Sequence, residues 1–120
     1  YWDKLDITYY DSFAEFSARN PGAYFFFTTK GRKIHSDAVY PNNAYLIFGR
    51  EDQGLPEDLL FAHPEECVRI PMRNELRSLN LSNSVAIAVY EALRQWDYPD
   101  LTRTGSLRAY RWEDTNCEEV

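Results

Sequence analysis

"AYLIFGREDQGLPEDLLFA", residues Ala44 to Ala62, passes from apolar run to loop to helix start. "AYLIFG", Ala44 to Gly49, is nearly continuous in bulky apolar residues, the pattern of a parallel strand covered on both faces. Pro56 is well placed as a first helical residue before "EDLLFA". The loop between them, "GREDQGLP", has glycines five apart. Glycine lets backbone groups approach a ligand closely, or simply closes a tight turn, and the spacing leaves both readings open. It is not a dinucleotide fingerprint, because GxGxxG is missing, nor a Walker loop, because no Gly-Lys-Ser/Thr follows. Glu51 is either a ligand contact or a solvated side chain.

The same strand–loop–helix grammar extends in both directions. "AYFFFTT", Ala23 to Thr29, is a second buried-strand pattern, and "CVRIPM", Cys67 to Met72, a weaker third ended by Pro71. "DITYY", Asp6 to Tyr10, is a candidate edge strand. Asp11 or Ser12 caps "FAEFSARN", which stops at Asn20-Pro21. A long helix is predicted from Ser82 to Trp96, with Val85, Val89, Ala92, Leu93 and Trp96 on its apolar stripe. Alternating strands and helices predict an α/β fold with a parallel sheet and helices on both faces. Ligands of such sheets sit beyond the carboxyl ends of the strands, which selects "TTKGRK", "GREDQGLP" and "MRNELRSLN".

Composition narrows the chemistry. The chain has 120 residues, 44% hydrophobic and 16% aromatic, enough for one domain with a real core. No run approaches a membrane span, and the start resembles no signal peptide, so a cytoplasmic protein with no membrane partner is expected. Cys67 and Cys117 match no zinc spacing, and His35 and His63 are the only histidines, so no metal site is expected. Cys67 reads as a buried small hydrophobe. A net charge of -6 argues against a general nucleic-acid surface. A local anion site survives, because Arg69, Arg73 and Arg77 recur around the third loop, although they also suit a solvated face.

"RSLNLSNS", Arg77 to Ser84, crowds Ser78, Asn80, Ser82, Asn83 and Ser84 in front of the long helix. Ser and Asn favour caps and turns. One cap and one Asx-turn do not use all five. A nucleophilic serine is poorly supported, since no GxSxG elbow exists.

Taken together, "LIFGREDQGLP", "VRIPM" and "RSLNLSNSVAIAVYEALRQ" resemble the second and third motifs of the SPOUT class of RNA 2'-O-methyltransferases. The match is nearest its tRNA (cytidine/uridine-2'-O)-methyltransferase branch, TrmL. "FTTKG" and "YLIFG" agree in order and spacing, so the resemblance covers residues 1–99, leaving 100–120 as a polar, acidic tail. The resemblance implies a C-terminal deep trefoil knot, S-adenosyl-L-methionine as cofactor, a homodimer, and tRNA methylated at the wobble ribose. It also implies cofactor contacts at Phe27, Gly49, Ile70, Ser78 and Leu79, with Asn80 and Glu51 in the active site. The family's first strand, with a motif resembling "NTGNIGR" and about 45 to 50 residues, is absent from this sequence. Little or no transferase activity is therefore expected of these 120 residues alone. The alternative is a cofactor- or RNA-binding domain without catalysis.

Overall fold

A computed structural model describes residues 4–73 and 80–114. Four parallel strands form its sheet: β1 (Ala23–Phe27), β2 (Lys33–Ile34), β3 (Ala44–Phe48) and β4 (Cys67–Arg69), in the order β2-β4-β1-β3. Helices α1 (Phe13–Arg19), α2 (Glu57–Ala62) and α3 (Leu81–Gln95) lie between and after them.

Alternation along β1 divides the core into two layers. Phe26 points to one face, where it packs with Leu60 of α2 and Cys67, and Phe13 of α1 lies against the same cluster. Phe25 and Phe27 point to the other, toward Tyr40, Val68 and the α3 residues Ala88 and Ala92. The expected covering of both sheet faces is therefore present. β1 and β3 run in register, Tyr24 beside Tyr45 and Phe27 beside Phe48, with the latter rings stacked at 4.9 Å. Cys67 is buried as expected, its thiol directed at the His63 carbonyl oxygen at 3.2 Å, and burial pushes its pKa up.

Local signals set the helix ends. Ser12, one of the two expected caps, accepts a hydrogen bond at Oγ from the Glu15 amide. Pro56 sits at the N-cap of α2, one position before the predicted one. In α3 the stripe is narrower than predicted. Ala88 and Ala92 are its buried residues, whereas Val89 is 37% exposed. Small residues let the helix sit close to the sheet; of the other predicted stripe residues, Trp96 packs against this core and Val85 and Leu93 are half-buried.

Two strand readings change. "DITYY" forms no strand; residues 4–9 are exposed and pair with nothing in the sheet. The edge is instead β2, two residues beside β4, too short for a periodic signal.

The link from β2 to β3 is tied to the end of α3. Gln95 accepts from the Tyr40 amide and donates to the Ala38 carbonyl, while the Trp96 indole N–H donates to the Tyr40 carbonyl at 2.6 Å. The Tyr40 hydroxyl, 2% exposed as a residue, donates to the His35 carbonyl. Burial, and then the charge of Glu91, push its pKa up to about 12. The unfolded phenol ionises near 10. Its stabilising effect is thus whole below pH 10 and lost as pH rises towards 12, amounting to about 2–3 kcal/mol at full ionisation. Urea denaturation at stepped alkaline pH should show a steeper decline between pH 10 and 12 in the parent than in Tyr40→Phe. Parallel curves would contradict this.

Candidate functional site

Beyond the carboxyl ends of β1 and β3 lies a cleft of about 460 Å³. Its apolar wall is the stacked pair Phe27 and Phe48 with Leu55, Ile70 and Met72. Its polar rim comes from three segments: Thr28 to Lys30 after β1, the turn Gly49 to Gly54 after β3, and the first turn of α3.

The turn after β3 explains its two glycines. Gly54 takes φ +70°, a conformation open to glycine, and its amide donates to the Arg50 carbonyl at 2.8 Å. That folds the loop back on Gly49, where any Cβ would overlap the carbonyl carbon of Gly54 and the amide of Leu55. Glu51 stands exposed on this turn, beside the Arg50–Asp52 ion pair. The loop after β1 is held just as closely. The Thr28 amide extends the ladder to the Val68 carbonyl, its hydroxyl accepts from the Lys30 amide, and Gly31 lies against the Val68 backbone. Lys30 then reaches Glu57 at 2.6 Å and, chiefly by that hydrogen bond, lowers the pKa of the glutamate.

Asn80 is the N-cap of α3. Its Oδ1 accepts from the Ser82 amide at 2.9 Å and the Ser82 hydroxyl at 2.5 Å. Part of the surplus in "RSLNLSNS" is thereby a cap. Among the described residues the Asn80 Nδ2 amide donates no hydrogen bond, and Ser84, one turn on, lines the same cleft.

Five residues expected at the site, Phe27, Gly49, Glu51, Ile70 and Asn80, come together on this one cleft. Ser78 and Leu79 lie outside the described residues. Sequence reasoning did not single out Thr28, Lys30, Leu55, Met72 and Ser84, although the first four lie in the three selected loops and Ser84 in the questioned polar run. Arg69 and Arg73 are not among the described residues lining the cleft, and Arg77 lies outside the described residues.

A parallel sheet covered on both faces, with a cleft of mixed lining at its carboxyl ends and loops from three segments around it, is the α/β arrangement in which small-molecule sites usually form. Residues 1–90 match the model of the SpoU rRNA Methylase family, and the chain belongs to that family. The tRNA (cytidine(34)-2'-O)-methyltransferase of Escherichia coli strain K12 is 48% identical over 92 residues, covering 76% of this chain and 59% of that protein. The enzyme of the same name from Yersinia pestis is 42% identical over 106 residues, covering 82% and 65%. A solved structure described as "Structural insights into the 2-OH methylation of C/U34 on tRNA" superposes with a TM-score of 0.75 at 39% identity, covering 81% of this chain and 64% of that one. The resemblance drawn from the motifs is borne out. The chain spans about three fifths of the length of the first curated relatives it matches.

Proposed function

We propose that the protein is an S-adenosyl-L-methionine-dependent tRNA ribose 2'-O-methyltransferase acting at the wobble nucleotide of the anticodon. The observation that carries this reading is the convergence of Phe27, Gly49, Glu51, Ile70 and Asn80 on one cleft in a chain of the SpoU family. The names of the relatives supply the substrate and position.

The cleft fits the methyl donor in size and character. Its volume lies within the ~300–1,000 Å³ usual for small-molecule sites. Phe27, Ile70 and Met72 offer apolar surface for an adenosyl group, and the backbone after Gly49 offers polar groups at close range. When bound, the donor supplies an electrophilic methyl group. The chain's task is then to orient and to manage a proton. The Asn80 amide, whose Nδ2 has no acceptor among the described residues, can position a ribose oxygen, and the Glu51 carboxylate lining the same cleft can accept a proton.

The reading includes the family's trefoil knot. It is supported by the crossover that sets β4 on the opposite side of β1 from β3. It also includes a homodimer, supported by the exposed Ile87 and Tyr90 on α3. A tRNA substrate places the protein in the cytoplasm.

Asn80→Ala tests the assignment. Loss of the cap should lower stability by about 1 kcal/mol. Transfer of tritiated methyl to tRNA, assayed in the longest form the gene encodes, should fall about 100-fold if the amide positions the reacting oxygen. A fall no larger than the stability loss explains would remove Asn80 from the active site.

A further inference from the structure

The segment from Pro99 to Asp114 lies outside the family match, and every residue in it is exposed. Asp97, Tyr98 and Asp100, at φ 62°, 49° and 59°, turn the chain away from the end of α3. Left-handed backbone at three non-glycine residues is uncommon, and here it reverses the chain direction after the helix. The radius of gyration is 18.7 Å, against ~14 Å for a compact chain of this length. The tail is solvent-exposed along its whole described length.

Its charge is divided. "LTRTGSLRAYRW", Leu101 to Trp112, holds Arg103, Arg108 and Arg111 and no acid, although the whole chain carries -6; acids flank it on both sides, Asp97 and Asp100 before it and Glu113 and Asp114 after it. Arg103 is held by Asp97 at 2.7 Å and lies 5.6 Å from the Tyr98 ring centre, and Arg111 is 3.5 Å from Asp114. Arg108 makes no hydrogen bond or ion pair among the described residues. Around Arg111 stand Tyr110, 77% exposed, and Trp112, 55% exposed.

We propose that Leu101 to Trp112 is a strap for single-stranded RNA, its arginines on phosphates and Tyr110 and Trp112 stacked on bases. Cationic side chains interleaved with exposed aromatic rings are what sequence-tolerant single-strand binding needs. The proposal rests on the tRNA reading above, in which the target nucleotide sits in a single-stranded loop whose bases can be splayed and stacked.

Fluorescence anisotropy with a labelled anticodon stem–loop tests it, at several salt concentrations. The triple variant Arg103→Ala, Arg108→Ala, Arg111→Ala should bind at least about tenfold more weakly at low salt, with the logarithmic salt slope reduced by about 2 for three single-strand phosphates. Tyr110→Ala with Trp112→Ala should lose about tenfold or more in affinity while keeping the slope. Both should retain parental S-adenosylhomocysteine binding by calorimetry and parental mass by light scattering. No RNA binding by the unaltered protein, or unchanged affinity and slope in the variants, would overturn the strap. So would a mass that falls in step with affinity, because the tail would then join two copies of the chain. The methyltransferase reading fails separately, by absence of S-adenosylhomocysteine binding in the unaltered protein.

Discussion

Gly49→Ala should reduce S-adenosylhomocysteine affinity about 100-fold, equivalent to ~3 kcal/mol. The added Cβ meets only backbone: the carbonyl carbon and Cα of Gly54, the latter at 2.7 Å, and the amide of Leu55. Overpacking a core costs about 1–3 kcal/mol when side chains can yield, and here no rotamer change relieves the overlap. The turn must open, breaking the Arg50–Gly54 pairing and withdrawing Glu51 and Leu55 from the cleft. The change lies at the end of β3 and not in the buried clusters. The urea midpoint should therefore move much less than the binding constant. Calorimetry showing affinity within about threefold of the parent would mean that the glycine pair serves the turn and not the ligand.

Phe26→Ala should lower stability by about 3–5 kcal/mol. Phe26 is 0% exposed and packs between Phe13, at 5.8 Å between ring centres, and His63, at 5.0 Å, over Leu60 and Cys67. Domains have only about 5–15 kcal/mol in total, so this change alone threatens folding. It also reaches the site, because the next residue, Phe27, turns the other way into the cleft. Denaturant midpoints measured with and without saturating S-adenosylhomocysteine should show a ligand-dependent recovery of the variant. A loss below about 1 kcal/mol would mean the α1–α2 layer packs differently from its description here.

The two layers were legible because their signals are strong and local. "AYFFF" and "AYLIF" leave little choice but buried strands; Ser12 marks a helix start by its capping hydroxyl and Pro56 by its fixed φ and missing N–H. β2 was not legible, since two residues form a strand only when β4 offers them a ladder. "DITYY" failed for the converse reason: its alternation is favourable, but no strand lies beside it. Val89 was misplaced because periodicity weighs apolar size, whereas the sheet selects the small Ala88 and Ala92 for close approach. For the site, the strand-end rule found the loops, and the motif resemblance chose residues within them. Thr28 and Lys30 were missed because a threonine hydroxyl and a lysine at a strand end have no signature of their own. The double use of Asn80, cap and cleft residue, was unreadable from sequence because both roles call for the same polar type.

The most direct measurement is a crystal structure of the protein grown with S-adenosylhomocysteine. The account predicts the ligand in the cleft beyond β1 and β3, its adenosyl group against Phe27 and Ile70, within contact of the Gly49 turn and of Asn80. A ligand bound elsewhere on the chain, with Asn80 and the Gly49 turn untouched, would contradict it.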